Sequence, residues 1–142
     1  MTDITIHLRL VGLLLLGLAF MGLFLPRRFG WQQDTAGASL LNRQIFYVHN
    51  SFIVLLLAMF GLLALTCARP LLEPHAVARA VLGGLAAFWF VRLLVQWFVY
   101  DRRLWHGKRF ETTMHVLFTG VWVYFTATFA IALWLNLNGR MP

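Results

Sequence analysis

Long apolar runs separated by short polar clusters dominate the chain. The first extends from about residue 4 to 25 and meets a stop at Pro26-Arg27-Arg28. The second occupies about 44 to 68, between Arg43 and Arg69. The third follows Pro74 and covers about 75 to 100, and the fourth covers about 111 to 137. A helix needs about 20 apolar residues to cross the hydrocarbon core of a bilayer, and each run supplies that length. Barrel strands are about 10 residues long and alternate in polarity, which no segment here does. Proline suits the first turn of a helix, so Pro74 marks the start of the third span. Asn138-Gly139 reads as the C-terminal cap of the fourth. The pattern predicts an all-α integral membrane protein: a four-helix transmembrane bundle, up-down-up-down, forming a single domain over residues 1–142.

Composition agrees. With 61% hydrophobic and 12% charged residues in 142, a soluble domain would expose large apolar patches and aggregate. The net charge of +7 is not read as a nucleic-acid surface, because the basic residues flank the apolar runs as in membrane proteins. Cys67 is the only cysteine, which excludes an internal disulfide and a cysteine-based metal cluster. The first run lacks a basic leader and a small-x-small site, so it is expected to remain on the chain. Arg27, Arg28 and Arg43 flank the first loop, and Arg102, Arg103, Lys108 and Arg109 lie in the third. Only Arg9, Arg69, Arg79 and Arg140 lie on the other side. The positive-inside rule then places loops 1 and 3 in the cytoplasm and both termini outside it, in a cell membrane of the bacterial inner type. The first loop, with Trp31-Gln32-Gln33-Asp34, is expected either to lie along the headgroups or to be a solvated linker.

Polar residues inside the spans carry the candidate chemistry. Arg92 lies about 12 Å inward from Tyr100 at 1.5 Å per residue. Arginine at the bilayer centre costs about 2.5–3.5 kcal/mol even on insertion scales. It must either snorkel to the headgroups or face inward with Gln96, one turn further on. Span 2 opens with His49-Asn50-Ser51, which point in three directions. In span 4, Thr112, His115, Thr119, Trp122 and Thr126 share a face, expected to turn into the bundle. Spans 2 and 4 both start from the cytoplasm, so His49, Asn50, Arg92, Gln96 and His115 are expected in one layer, with Tyr100, Asp101 and His106 just outside. His7 and His75 are expected at the outer interface. Gly12, Ala19 and Gly22 give span 1 a small face for close helix approach. Trp31, Tyr47 and Trp105 suit one interface and Trp134 the other. The aromatics of span 3, Phe88, Trp89, Phe90, Trp97 and Phe98, read as packing or as walls for a flat cofactor.

Three functions compete. Imidazoles from two parallel helices could take both axial positions of a b-type haem, with His49 and His115 as iron ligands. Arg92 would then pair a propionate, with Asn50 or Gln96 alongside, for electron transfer. This layout resembles the cytochrome b561 group, whose four-helix bundles supply histidine pairs from parallel helices. A small membrane enzyme or binding module for a lipophilic anion is the second reading. Four spans and a third-span arginine resemble the membrane-associated eicosanoid and glutathione metabolism proteins, which implies a trimer with a cytoplasmic-side site. Their acidic residue shortly after the span-2 asparagine is missing here, where Ser51-Phe52-Ile53-Val54 follow Asn50. His115 would act there as acid or base and Arg92 as oxyanion stabiliser. The third reading is a non-catalytic membrane subunit or scaffold. Expected partners are membrane lipid and a second copy or another membrane subunit.

Overall fold

The computed structural model describes residues 2–28, 30–99 and 107–139. They form six helices and no strand: α1 (Thr2–Arg28), α2 (Trp31–Asp34), α3 (Leu40–Thr66), α4 (Ala68–Leu72), α5 (Ala76–Phe98) and α6 (Arg109–Leu137). Four contain segments long and apolar enough to cross a membrane: Ile4–Phe24, Leu40–Thr66, Ala76–Phe98 and Arg109–Leu137. The described chain is therefore all-α, with the four long helices the hydropathy pattern predicts.

The helix ends differ from the expected spans for local reasons. Helix α1 continues through Pro26 to Arg28, because a proline near a helix end costs few backbone bonds. Helix α3 starts four residues earlier than the apolar run, at Leu40, where the Ser39 hydroxyl accepts from the Asn42 amide at 3.3 Å. Backbone bonding begins at a cap, whereas an apolar run begins only after the last charge. Helix α5 is capped by His75, whose Nδ1 accepts from the Ala78 amide at 3.2 Å. Helix α6 ends as its sequence predicts. Asn138 Nδ2 and its backbone N–H both donate to the Trp134 carbonyl, and Gly139 adopts φ 59, a left-handed conformation natural to glycine. Part of the first loop is helical, forming α2, and Trp31 packs edge-on to Phe46 with centroids 4.7 Å apart.

The residues form two compact units, Leu8–Ala68 and Met1–His7 with Arg69–Pro142. In the first, α1 and α3 run antiparallel. Gly12 faces Gly61 and Leu65, and Gly22 faces Val54. A Cβ on Gly12 would stand 2.7 Å from the Leu65 amide nitrogen and 2.8 Å from the Gly61 carbonyl oxygen. Two backbones thus approach too closely for any side chain, the use of glycine expected where apolar helices pack. Ala19, on the same small face, is buried. Of α3 only Gly61 and Ala64 are buried.

In the second unit, α5 and α6 run antiparallel. Arg79 meets Asn136, Trp89 meets Trp122 and Phe125, and Gln96 meets His115. The buried positions of α5 are Ala78, Leu82, Leu85, Trp89, Leu93 and Gln96. Those of α6 include Trp122, Phe125, Phe129, Ala132 and Asn136. Both stripes repeat in steps of three and four residues, the spacing of a seam between nearly parallel or antiparallel helix axes.

Gly12→Ala should lower stability by about 1–3 kcal/mol, because backbone atoms cannot yield to the new methyl. Gly17→Ala, where a Cβ meets nothing within 4 Å, should be neutral or stabilising by about 0.5–1 kcal/mol through helix propensity. Unfolding of both variants in detergent micelles measures the contrast. Equal effects would remove the close crossing as a determinant of stability.

Candidate functional site

The polar residues of α5 and α6 meet at one end of the hairpin. Gln96 lies one turn beyond Arg92, so both side chains share a face. Arg92 Nη1 donates to Gln96 Oε1 at 3.1 Å. Gln96 Nε2 then donates to His115 Nδ1 at 2.8 Å. Gln96 is buried, and Arg92 and His115 are half-buried. The Arg92 guanidinium also lies over the Trp122 ring, 4.9 Å from its centroid. The Arg92 head thus lies between Gln96 of its own helix and the Trp122 ring of α6. A hydrogen bond from a charged donor contributes about 1.5–3 kcal/mol and a cation over an indole about 0.5–2 kcal/mol.

The relay has a direction. Arginine only donates, so it takes the oxygen of Gln96 and turns the amide nitrogen to His115. An amide nitrogen also only donates, so His115 Nδ1 accepts and the ring proton sits on Nε2. His49 has the opposite arrangement. Its Nδ1 lies 2.9 Å from the Ile45 carbonyl oxygen, which only accepts, so Nδ1 carries the proton and a neutral ring presents its lone pair on Nε2.

An aromatic layer underlies the relay. Trp89 and Trp122 stack with centroids 5.1 Å apart and an interplanar angle of 12°. Phe118 continues the stack on Trp122 at 5.7 Å and 17°, and Phe125 meets Trp89 edge-on at 5.0 Å. Both tryptophans are buried, and neither indole Nε1–H has a hydrogen-bond partner among the described residues. A buried donor left unbonded costs about 1–3 kcal/mol, so this pair is a destabilised element at the heart of the hairpin.

The expected layer of His49, Asn50, Arg92, Gln96 and His115 divides between the two units. Arg92, Gln96 and His115 come together in the second. His49 and Asn50 belong to the first. There His49 is exposed on a stripe with Ile45, Phe52 and Leu56, while Asn50 is half-buried on the stripe of Val54, Leu57 and Gly61. Ser51 bonds back to the Tyr47 carbonyl at 3.0 Å. Tyr100, Asp101, Arg102, Arg103, Trp105, His106 and Arg140 lie outside the described residues. Among the described residues, no three His, Cys, Asp or Glu side chains gather as a metal site.

The α6 face differs from the expected threonine stripe. His115, Phe118, Trp122, Phe125, Phe129, Ala132 and Asn136 form the inner stripe. Thr119 and Thr126 flank it and bond back to the carbonyls of His115 and Trp122, each at 2.8 Å. Thr112 is exposed and bonds the Lys108 carbonyl. Their hydroxyls are satisfied within their own helix, so they have no need of the seam. His7 and His75 form no pair. His7 Nδ1 lies 2.7 Å from the Tyr124 hydroxyl. His75 caps α5 near Glu73, whose carbonyl bonds Asn136. Tyr124 and Asn136 stand about 18 Å apart along α6.

Asn136 is the polar residue that sequence reasoning passed over. It is 1% exposed. Its Oδ1 accepts from Arg79 Nε at 3.1 Å, and its Nδ2 donates to the carbonyls of Leu71 at 3.1 Å and Glu73 at 2.6 Å. Its place two heptads after Trp122 was the available signal. Asn136→Leu should destabilise the protein by roughly 1–3 kcal/mol, since it strands the buried Leu71 carbonyl and removes bonds to the Glu73 carbonyl and Arg79. Nitrogen-15 NMR of the labelled histidines should give opposite tautomers, Nε2–H for His115 and Nδ1–H for His49. An Nδ1–H signal from His115 would mean that the relay does not run through Gln96 as described.

Comparison with protein-family models, curated proteins and solved structures returned no match.

Proposed function

We propose that the chain is a multi-pass membrane protein that binds a lipophilic, anionic molecule at the Arg92–Gln96–His115 relay. Four long apolar helices support the membrane setting. So do the bare apolar side chains along them, with Phe52 65% and Phe98 79% exposed, which lipid or another membrane subunit would cover. Under the positive-inside rule the loops after α1 and α5 face the cytoplasm, both termini lie outside, and the helices alternate up-down-up-down. The relay then lies near the cytoplasmic side, within reach of a headgroup-level anion. The observation that carries the reading is the guanidinium held inward between Gln96 and Trp122. A charge fixed inside an apolar bundle by polar side chains is a functional feature more often than a packing one. Its surroundings favour an acceptor: Arg92 and the Gln96 amide donate, and His115 carries its proton on Nε2.

A b-type haem is the second reading, and His49 favours it. A ligating imidazole usually donates Nδ1–H to a carbonyl and offers Nε2 to the metal, as His49 does with Ile45. His115 as bonded does not fit. Iron ligation through its Nε2 would require Gln96 to turn over and release Arg92.

In detergent micelles, dodecanoate should raise the unfolding temperature of the wild type saturably. At one hundred times Kd the gain is about 2.7 kcal/mol. Arg92→Leu should fold and lose this response. A variant that gains stability and still responds to dodecanoate would reduce Arg92 to a tolerated charge. A Soret band on reconstitution with haemin, lost in both His49→Ala and His115→Ala, would favour the haem instead.

A further inference from the structure

The unbonded indole pair narrows the class of ligand. We propose that the occupant of the relay is a planar, quinone-type ring that carries a negative charge at one edge and carbonyl oxygens at another, with a lipophilic tail. The inference rests on the reading of the relay as an anion site. Two tryptophans, each more than nine-tenths buried, hold indole N–H groups with no acceptor. The Trp122 ring lies under the Arg92 guanidinium, and Trp89 stacks on Trp122. A fatty acid has acceptors at one end only, so it could meet Arg92 and leave the indoles unbonded. A ring with oxygens on more than one edge can accept from the guanidinium and from an indole together. The N–H atoms are sealed from solvent, so binding requires side chains of the α5/α6 seam to move.

The test uses the full chain in lipid nanodiscs with nitrogen-15 labelled tryptophan, whose six residues give separable indole N–H signals. The Trp89 and Trp122 signals are assigned with Trp89→Phe and Trp122→Phe. The probes are a 2-hydroxy-3-alkyl-1,4-naphthoquinone, which is anionic near neutral pH, then dodecanoate, and then an alkylbenzene of equal tail length. The hydroxyquinone should move the Trp89 or Trp122 signal downfield and leave the other tryptophans in place. Dodecanoate and the alkylbenzene should not. Trp89→Phe keeps a ring but loses the donor, and should weaken hydroxyquinone binding by about tenfold. If both anions stabilise the protein through Arg92 while every indole signal stays still, the anion site stands and the quinone class is overturned. If the alkylbenzene moves the indoles equally, the shift reflects packing and the proposal fails. If no anion binds, both readings fall together.

Discussion

In an apolar environment, a buried donor or acceptor can find partners only within the protein itself. The described residues follow that constraint. It makes long helices the default, because each closes its own backbone bonds. It sends Thr112, Thr113, Thr119 and Thr126 back to carbonyls four residues earlier on α6. It gives Asn136 three bonds at one end of the α5/α6 seam, and chains Arg92, Gln96 and His115 at the other. Against this background, the unbonded Trp89 and Trp122 N–H groups and the Tyr47 hydroxyl are exceptions. The tryptophans lie beside the one guanidinium on the described part of the seam that stacks on an indole.

Packing is handled differently in the two units. The α1/α3 pair closes on backbone, with Gly12 against Gly61 and Leu65. The α5/α6 pair closes on large side chains, with Trp89, Phe125 and Phe129 fully buried. Where lipid is as apolar as the core, association depends on contact quality more than on burial. A glycine crossing gains contact by proximity, and an aromatic seam gains it by area. The seam also supplies flat polarisable faces, which suits it to a ligand as the glycine crossing does not.

The four long helices were legible because an unbroken apolar run of that length has few alternatives. The pairing of Arg92 with Gln96 was legible from their one-turn spacing, and the inward turn of His115 from its helical face. The direction of the relay was not. A histidine tautomer depends on what the partner helix presents, and only the Arg92–Gln96 bond decides which end of the amide faces His115. Asn136 was hidden for a related reason. Flanked by leucines, it reads as an interruption of an apolar run until the carbonyls of Leu71 and Glu73 arrive from a distant segment. The threonine stripe was legible in part: Thr119 and Thr126 are half-buried and bond back to their own helix, whereas Thr112 is exposed.

Asn136 also governs how the hairpin can move. Sliding α5 along α6 by a turn, about 5.4 Å, would break polar bonds at both ends at once. Rotation about the Asn136 end breaks only those at the other. The three bonds of one small amide therefore tie the free ends of the hairpin together, opposite the end where the chain passes from α5 to α6 beside the arginine.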